Sequence, residues 1–296
     1  MNIFARLKNS CAFSANKAIF SSVKKGFSLL LFAFLFSVGT QAQEIPIVNL
    51  TTDFQEDSHK YSKLILENEI SGVDVELIAL TGEDAIIDRT EKGCKTVYLF
   101  YKGKGTVVAE DKNYDIVPET ILLPNHLNEI SVKTAAEDTL CYLKISSQLT
   151  AQDLLDLKEF PTENTQNVYY KKFTDCESYT EAIKSPNTVS RTILPNKYIP
   201  RVAMGTVQTK GPDRVAPHEH PMLEQLFLGL SDNHTMVYAD EAKVNFPEYS
   251  LLHIPVGSSH SVSVEKEEVM YYVWMDFFMD KKGEEWLKTH KMSGDE

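Results

Sequence analysis

The feature that most constrains this chain is a set of short apolar runs that occurs twice. Beyond Ala42, the stretches Val73 to Leu80, Thr96 to Tyr101, Thr106 to Ala109, Ile121 to Leu123, Ile130 to Val132 and Thr139 to Ile145 are rich in β-branched and aromatic residues and separated by turn residues. A second set follows a middle segment: Arg201 to Gln208, Leu226 to Leu228, Thr235 to Tyr238, Ser250 to Ile254, Ser261 to Val264 and Val269 to Phe278. Runs this short and closely spaced predict strands of a sandwich or barrel. The two sets overlay. Val107-Val108 precedes Pro118-Glu119, Leu122-Leu123 and Pro124; Met236-Val237 precedes Pro247-Glu248, Leu251-Leu252 and Pro255 with the same first spacing. This is an internal repeat at an offset of about 130 residues, and it predicts two tandem all-β domains.

Helical signals are few. Thr150 is an N-cap for Ala151 to Phe160, and Glu284 to His290 reads as a short terminal helix. The first of these, with the polar stretch Pro161 to Asn167 and the turn Ser185-Pro186-Asn187, marks a connector between the repeats. The expected organisation is a leader over residues 1–42, a first barrel over 43–148, a connector over 149–195 and a second barrel over 196–296.

The leader is read from Lys24-Lys25, the apolar run Phe27 to Val38 and the small-residue end Gly39-Thr40-Gln41-Ala42. That order is the pattern of a signal peptide cleaved after Ala42. The apolar run is far shorter than the roughly 20 residues a membrane-spanning helix needs, so an exported, periplasmic or secreted protein without stable membrane insertion is expected. Removing the leader takes five of the 30 basic residues and none of the 42 acidic ones, which moves the formal net charge from −12 to −17. Such a surface repels nucleic acid and anionic lipid. A small-molecule ligand is the expected partner, and a homodimer stays open. Cys94, Cys141 and Cys176 remain, an odd number without metal-site spacing; pairing of Cys94 with Cys141 is left open.

Chemistry concentrates in the second repeat, in Pro217-His218-Glu219-His220-Pro221-Met222-Leu223-Glu224 and Pro255-Val256-Gly257-Ser258-Ser259-His260. Residues two apart on a strand share a face, so His218 and His220 can aim at one point. Glu224 has the same parity but lies too far along a straight strand, so the chain must turn back near Pro221 for it to join them. His260 is the one strong ligand of its segment. Three imidazoles and a carboxylate suit a divalent Fe, Mn, Zn, Ni or Co ion with coordination positions left for water or substrate.

These segments, Gly211-x6-His218-x-His220-x3-Glu224 and Pro255-x-Gly257-x2-His260, resemble the two signature motifs of the cupin superfamily, whose members are double-stranded β-helix (jelly-roll) barrels. The resemblance implies a bicupin in which His218, His220, Glu224 and His260 hold one metal ion. In the first repeat, alignment of Tyr98 to Gly103 with the strand after Glu224 puts Asp88-Arg89-Thr90 in place of His-x-His and Lys95 or Thr96 in place of the glutamate, with His126 as a remnant. A degenerate, metal-free first barrel that packs against the second or closes its mouth is expected.

Two further residues are candidates. Arg201, if turned inward rather than solvated, would clamp a substrate carboxylate. Asp276, charged within the aromatic run Tyr271 to Phe278, either is a strand-end or capped aspartate or orients a ligand histidine by hydrogen bonding to it. The functional expectation is an exported metal-dependent bicupin acting on a small polar molecule such as a sugar acid or other carboxylate, by lyase, isomerase or hydrolase chemistry. A metal-dependent dioxygenase and a non-catalytic small-molecule binding protein are the alternatives.

Overall fold

The computed structural model describes residues 44–55, 58–180 and 184–290. The leader lies outside the described residues. In chain order the first half runs β1 (Ile47–Asn49), β2 (Lys60–Ile65), β3 (Val73–Leu80), β4 (Ile86–Arg89), β5 (Cys94–Lys102), β6 (Gly105–Ala109), β7 (Lys112–Ile116), β8 (Thr120–Leu123), β9 (Glu129–Thr134) and β10 (Leu140–Gln148). Helices α1 (Ala151–Asp156) and α2 (Thr162–Gln166) precede β11 (Tyr169–Lys172), a short 3-10 turn and β12 (Ser178–Tyr179). The second half runs β13 (Val189–Leu194), β14 (Val202–Lys210), β15 (Asp213–His218), β16 (Leu223–Gly229), β17 (His234–Ala239), β18 (Ala242–Pro247), β19 (Ser250–Ile254), β20 (His260–Val264) and β21 (Val269–Phe278), and ends in α3 (Lys281–His290).

Each half is a pair of antiparallel sheets folded over one another. The first half has the orders β11-β8-β5-β10-β3-β2 and β4-β9-β6-β7; the second has β1-β19-β16-β21-β14-β13-β12 and β15-β20-β17-β18. The internal repeat is structural as well as sequential. Non-glycine residues with left-handed backbone recur 130 residues apart at matching turns: Glu110 with Asp240, Glu119 with Tyr249, and Glu137 with Glu267. Glu110 and Asp240 open the two-residue turns of the β6–β7 and β17–β18 hairpins, where a positive φ matches the twist of the flanking strands.

The sheets cross the expected boundaries reciprocally. β1, in the first half of the sequence, pairs with β19, while β11, from the connector, pairs with β8. Each half thus lends its leading strand to the other. The connector also contributes β12 and β13 to the large sheet of the second half.

Three apolar cores result. Tyr98, Phe100, Tyr142 and their neighbours fill the first barrel. Val207, Phe227, Val237, Phe246 and Tyr272 line the second. Between the two large sheets lies the third, in which Leu77, Leu99 and Leu143 of the first half meet Met204, Leu226, Leu228 and Met275 of the second. Strands such as β5 and β21 are buried on both faces, which is why they read as continuous apolar runs rather than alternating ones. The weakly apolar strands β7 and β18 escape that reading because only alternate residues turn inward.

Cys94 and Cys141 do not pair. Cys94 stands opposite Gln148 and Cys141 opposite Lys102 on the same β5–β10 ladder, which separates them by roughly 25 Å of strand.

Candidate metal centre

The site is built where two strands of the small sheet and one of the large sheet converge. His218 ends β15 and is the direct cross-strand partner of His260, which opens β20. That register places both imidazoles on the barrel side at the same level, after a ladder irregularity between Val215 and His218. His220 lies just beyond β15 in extended chain rather than on the strand itself. Its carbonyl accepts the Gly257 N–H at 3.2 Å, which ties it to the loop before His260. One ligand atom from each of the three histidines falls within 4.8 Å of the others. Ring centroids are 4.3 Å apart for His218 and His260, 4.9 Å for His218 and His220, and 5.5 Å for His220 and His260.

Backbone carbonyls set the tautomers. His218 Nδ1 stands 2.8 Å from the Ala216 carbonyl and His260 Nδ1 stands 3.1 Å from that of Ser258. An Nδ1–H that donates to a carbonyl leaves Nε2 as the lone-pair donor, the usual arrangement of metal-binding histidine. Burial, with the neighbouring His218 ring second, lowers the His260 pKa to about 4, so its ring is neutral at pH 7.

Glu224 is not in this cluster, which corrects the four-ligand set expected from sequence. Its Oε2 accepts from His253 Nε2 at 2.8 Å and from the Val256 N–H at 2.9 Å. The reason is parity. On β16, Gln225 and Phe227 line the barrel cavity, whereas Glu224 shares the opposite face with Leu226 and Leu228 of the inter-barrel core. The turn through Pro221 and Met222 resets the alternation that a continuous strand would have kept. The inward position is Gln225. Its Nε2 donates to Asp276 Oδ1 at 2.8 Å, from the facing position of β21.

Two buried atoms here lack a hydrogen-bond partner, Gln225 Oε1 and His260 Nε2. Both are lone-pair donors, and burying them unsatisfied is costly. A divalent cation would satisfy His260 Nε2, so the donor set fits a metal ion held by three imidazoles, and the Gln225 side chain lines the same cavity.

Glu224 instead fastens the loop that carries His260. His253, buried on β19, bridges Glu224 and Glu69 of the first half, the latter at 2.9 Å from Nδ1. His253 carries no sequence signal of this bridge, because only the fold brings Glu69 and Glu224 to its two ring nitrogens. Gln225 was equally hidden, beside the more conspicuous glutamate. Asp276 lines the same cavity and accepts from Gln225 Nε2.

Arg201 is not a substrate clamp. Its Nε and a terminal nitrogen each lie 2.8 Å from Asp153 of α1, and a second terminal nitrogen donates to the Phe278 carbonyl at 3.1 Å. Burial opposes ionisation of Asp153, but Arg201 and Thr150 outweigh it and hold the carboxyl below its ordinary pKa. Arg201 takes a left-handed backbone with φ 62°, which turns its side chain toward α1.

The cavity over the histidines measures about 320 Å³. Its walls combine Phe227, Tyr272 and Trp274 with polar Tyr179, Lys184 and Asn196. In the first barrel the matching space is filled. Phe100 and Tyr142 pack with centroids 5.0 Å apart, and Asp88, expected where His-x-His would stand, takes Lys144 Nζ at 2.6 Å and the Tyr142 hydroxyl at 3.2 Å. His126 pairs with Glu110 at 3.5 Å. Among the described residues the second-half histidines form the one such cluster.

Comparison with solved structures bears on the fold. A cupin 2 conserved barrel domain protein from Leptotrichia buccalis superposes with a TM-score of 0.54 at 16% identity, over 79% of this chain and 96% of its own. A match over 79% of the chain extends into both halves. The chain has the bicupin fold. Two further bicupin matches are the oxalate decarboxylase of Lactobacillus farciminis in its formate complex, TM-score 0.55 at 11% identity over 82% of this chain and 90% of that one, and procruciferin, an 11S globulin from Brassica napus, TM-score 0.59 at 10% identity over 81% and 85%. No family model and no curated protein matches the chain. Identities this low carry the bicupin fold alone.

Proposed function

We propose that this bicupin is an exported metal-dependent protein that binds one divalent ion on His218, His220 and His260, with Gln225 as fourth donor, and acts there on a small organic carboxylate. The observation that carries the reading is the neutral donor set: three imidazoles converging within 4.8 Å and no carboxylate among them. A divalent cation on such a set supplies Lewis-acid chemistry undiminished by an anionic protein ligand.

The cavity lining mixes charges, with the carboxylates of Asp276 and Glu284 on it, so an anionic ligand would rest on the metal and one lysine. Lys184, which donates to Ser190 Oγ at 3.0 Å, brings a cation to the cavity lining. Phe227, Tyr272 and Trp274 narrow the space and exclude water, while Asp276 holds the Gln225 amide so that its oxygen is the atom left for the metal. Lyase, isomerase or hydrolase chemistry on a sugar acid or related carboxylate fits these features. Dioxygenase chemistry would require a redox-active ion on the same residues, and a binding protein would use them without turnover. Export rests on the leader pattern of residues 1–42, and among the described residues no helix is long and apolar enough to cross a membrane.

Metal analysis of the purified chain tests the proposal. About one equivalent of divalent ion is expected, falling to background in His260→Ala, roughly ten- to a hundredfold weaker binding in Gln225→Ala, and a smaller loss in Glu224→Gln. Glu224→Gln abolishing binding while Gln225→Ala spares it would restore Glu224 as the ligand. No binding of any divalent ion would sink the reading. Stoichiometric zinc without iron would count against the dioxygenase, and a screen of the loaded protein against uronates, keto acids and phenolics separates turnover from binding alone.

A further inference from the structure

A second cavity, of about 520 Å³, lies on the first half beneath the connector helices. That size suits a small organic ligand. Leu154, Leu157 and Phe160 form apolar wall, and the ionisable lining is basic throughout: Lys95, Lys158 and His126. In a chain of formal net charge −12, a cavity lined by cations and no carboxylate departs sharply from the average surface.

Lys95 is the decisive residue. It is 9% exposed, and its Nζ makes one hydrogen bond, to the neutral Asn125 Oδ1 at 3.2 Å. Among the described residues no carboxylate forms an ion pair with it. The repeat supplies the comparison. Lys95 occupies in β5 the position that Glu224 occupies in β16, and each fastens the loop that follows the Leu-Leu strand. Glu224, however, is met by two N–H donors, whereas the ammonium of Lys95 has a single amide oxygen. A buried cation without a counter-charge is costly. Burial accordingly pushes the Lys95 ammonium below the ordinary lysine range.

The apolar wall narrows the class of anion. Leu154 is 52% exposed although it lines the cavity, so a hydrocarbon group laid there would cover it. Inorganic phosphate would use Lys95 and Lys158 but leave that wall bare. His126 is already engaged by Glu110 at 3.5 Å, which leaves the two lysines as the available cations.

We propose that this cavity binds a small organic anion with an apolar body, its carboxylate on Lys95 and its hydrocarbon along Leu154, Leu157 and Phe160. The site is separate from the metal centre and does not depend on the function proposed for it.

Calorimetric titration of the purified chain with octanoate tests this. Saturable binding is expected, with octanol and inorganic phosphate each much weaker. Lys95→Gln can keep a bond to Asn125 while removing the charge, and should weaken octanoate by roughly tenfold or more; Lys95→Arg should stay within a few fold of the parent. Leu154→Ser, at a half-exposed position that spares the fold, should also weaken octanoate. His260→Ala should leave it unchanged. Equal affinity for octanol or phosphate, unchanged binding in Lys95→Gln at intact secondary structure, or loss of binding in His260→Ala would each overturn the proposal.

Discussion

Gln225 and Glu224 differ by one position in sequence and by an entire face of a sheet in space. Side chains alternate along β16, so only one of the pair can look into the barrel, and the ladder with β21 decides it by setting Gln225 against Asp276. The neighbouring histidines follow a similar local logic, their tautomers fixed by the carbonyls of Ala216 and Ser258. His260 carries a consequence for stability. Its folded pKa, lowered to about 4 by burial first and the adjacent His218 second, lies below the ordinary histidine value of about 6.5. Between those values the unfolded chain binds the extra proton and the folded chain does not. The contribution is therefore full above about pH 6.5 and is lost as pH falls toward 4. Urea unfolding of the chelator-treated protein at pH 7 and pH 5 should show a drop in stability that is smaller in His260→Gln; identical pH dependence in the variant would refute the assignment.

Among the elements, α1 is short, and its six residues would not hold a helix by propensity alone. What holds it is a set of polar contacts at both ends. Thr150 and Asp153 form a capping box, Asp153 is then bound by Arg201, and Asp156 accepts Lys281 of α3 at 3.2 Å. Arg201 precedes β14 and Lys281 opens α3, so the helix ties the connector to both ends of the second half. Asp153 is 1% exposed, and removing its partner strands a buried carboxylate. Arg201→Met should cost about 3 kcal/mol, read as a lowered denaturant midpoint, with metal content unchanged because the Arg201 side chain does not line the metal cavity. A loss of metal binding in that variant would return Arg201 to the site.

At the scale of the whole molecule, the two barrels share their largest core and exchange strands, so neither half closes without the other. The ladders β1–β19 and β11–β8 cross between halves, and the Tyr271 hydroxyl donates to Glu119 Oε2 at 2.6 Å across the same interface. Two tandem barrels on a string would unfold in two steps; this arrangement should unfold in one. Calorimetry should give a single transition with matching calorimetric and van't Hoff enthalpies, and Leu228→Ala, at a fully buried position of the shared core, should shift that transition by roughly 2 to 5 kcal/mol without splitting it. Two separate transitions would show that the shared core does not couple the barrels.

By itself the sequence determined the all-β class, the duplication and the three histidines. Those follow from local periodicity, from spacing that repeats at about 130 residues, and from residue types that a short strand or turn can present without help. Only the tertiary structure decided which of Glu224 and Gln225 faces the cavity over the histidines, that Arg201 serves α1, and that β1 and β11 change places between halves. Each of these depends on register between strands far apart in the chain, and a side chain's face after a turn is set by the ladder it joins, a pairing energy that no local pattern contains.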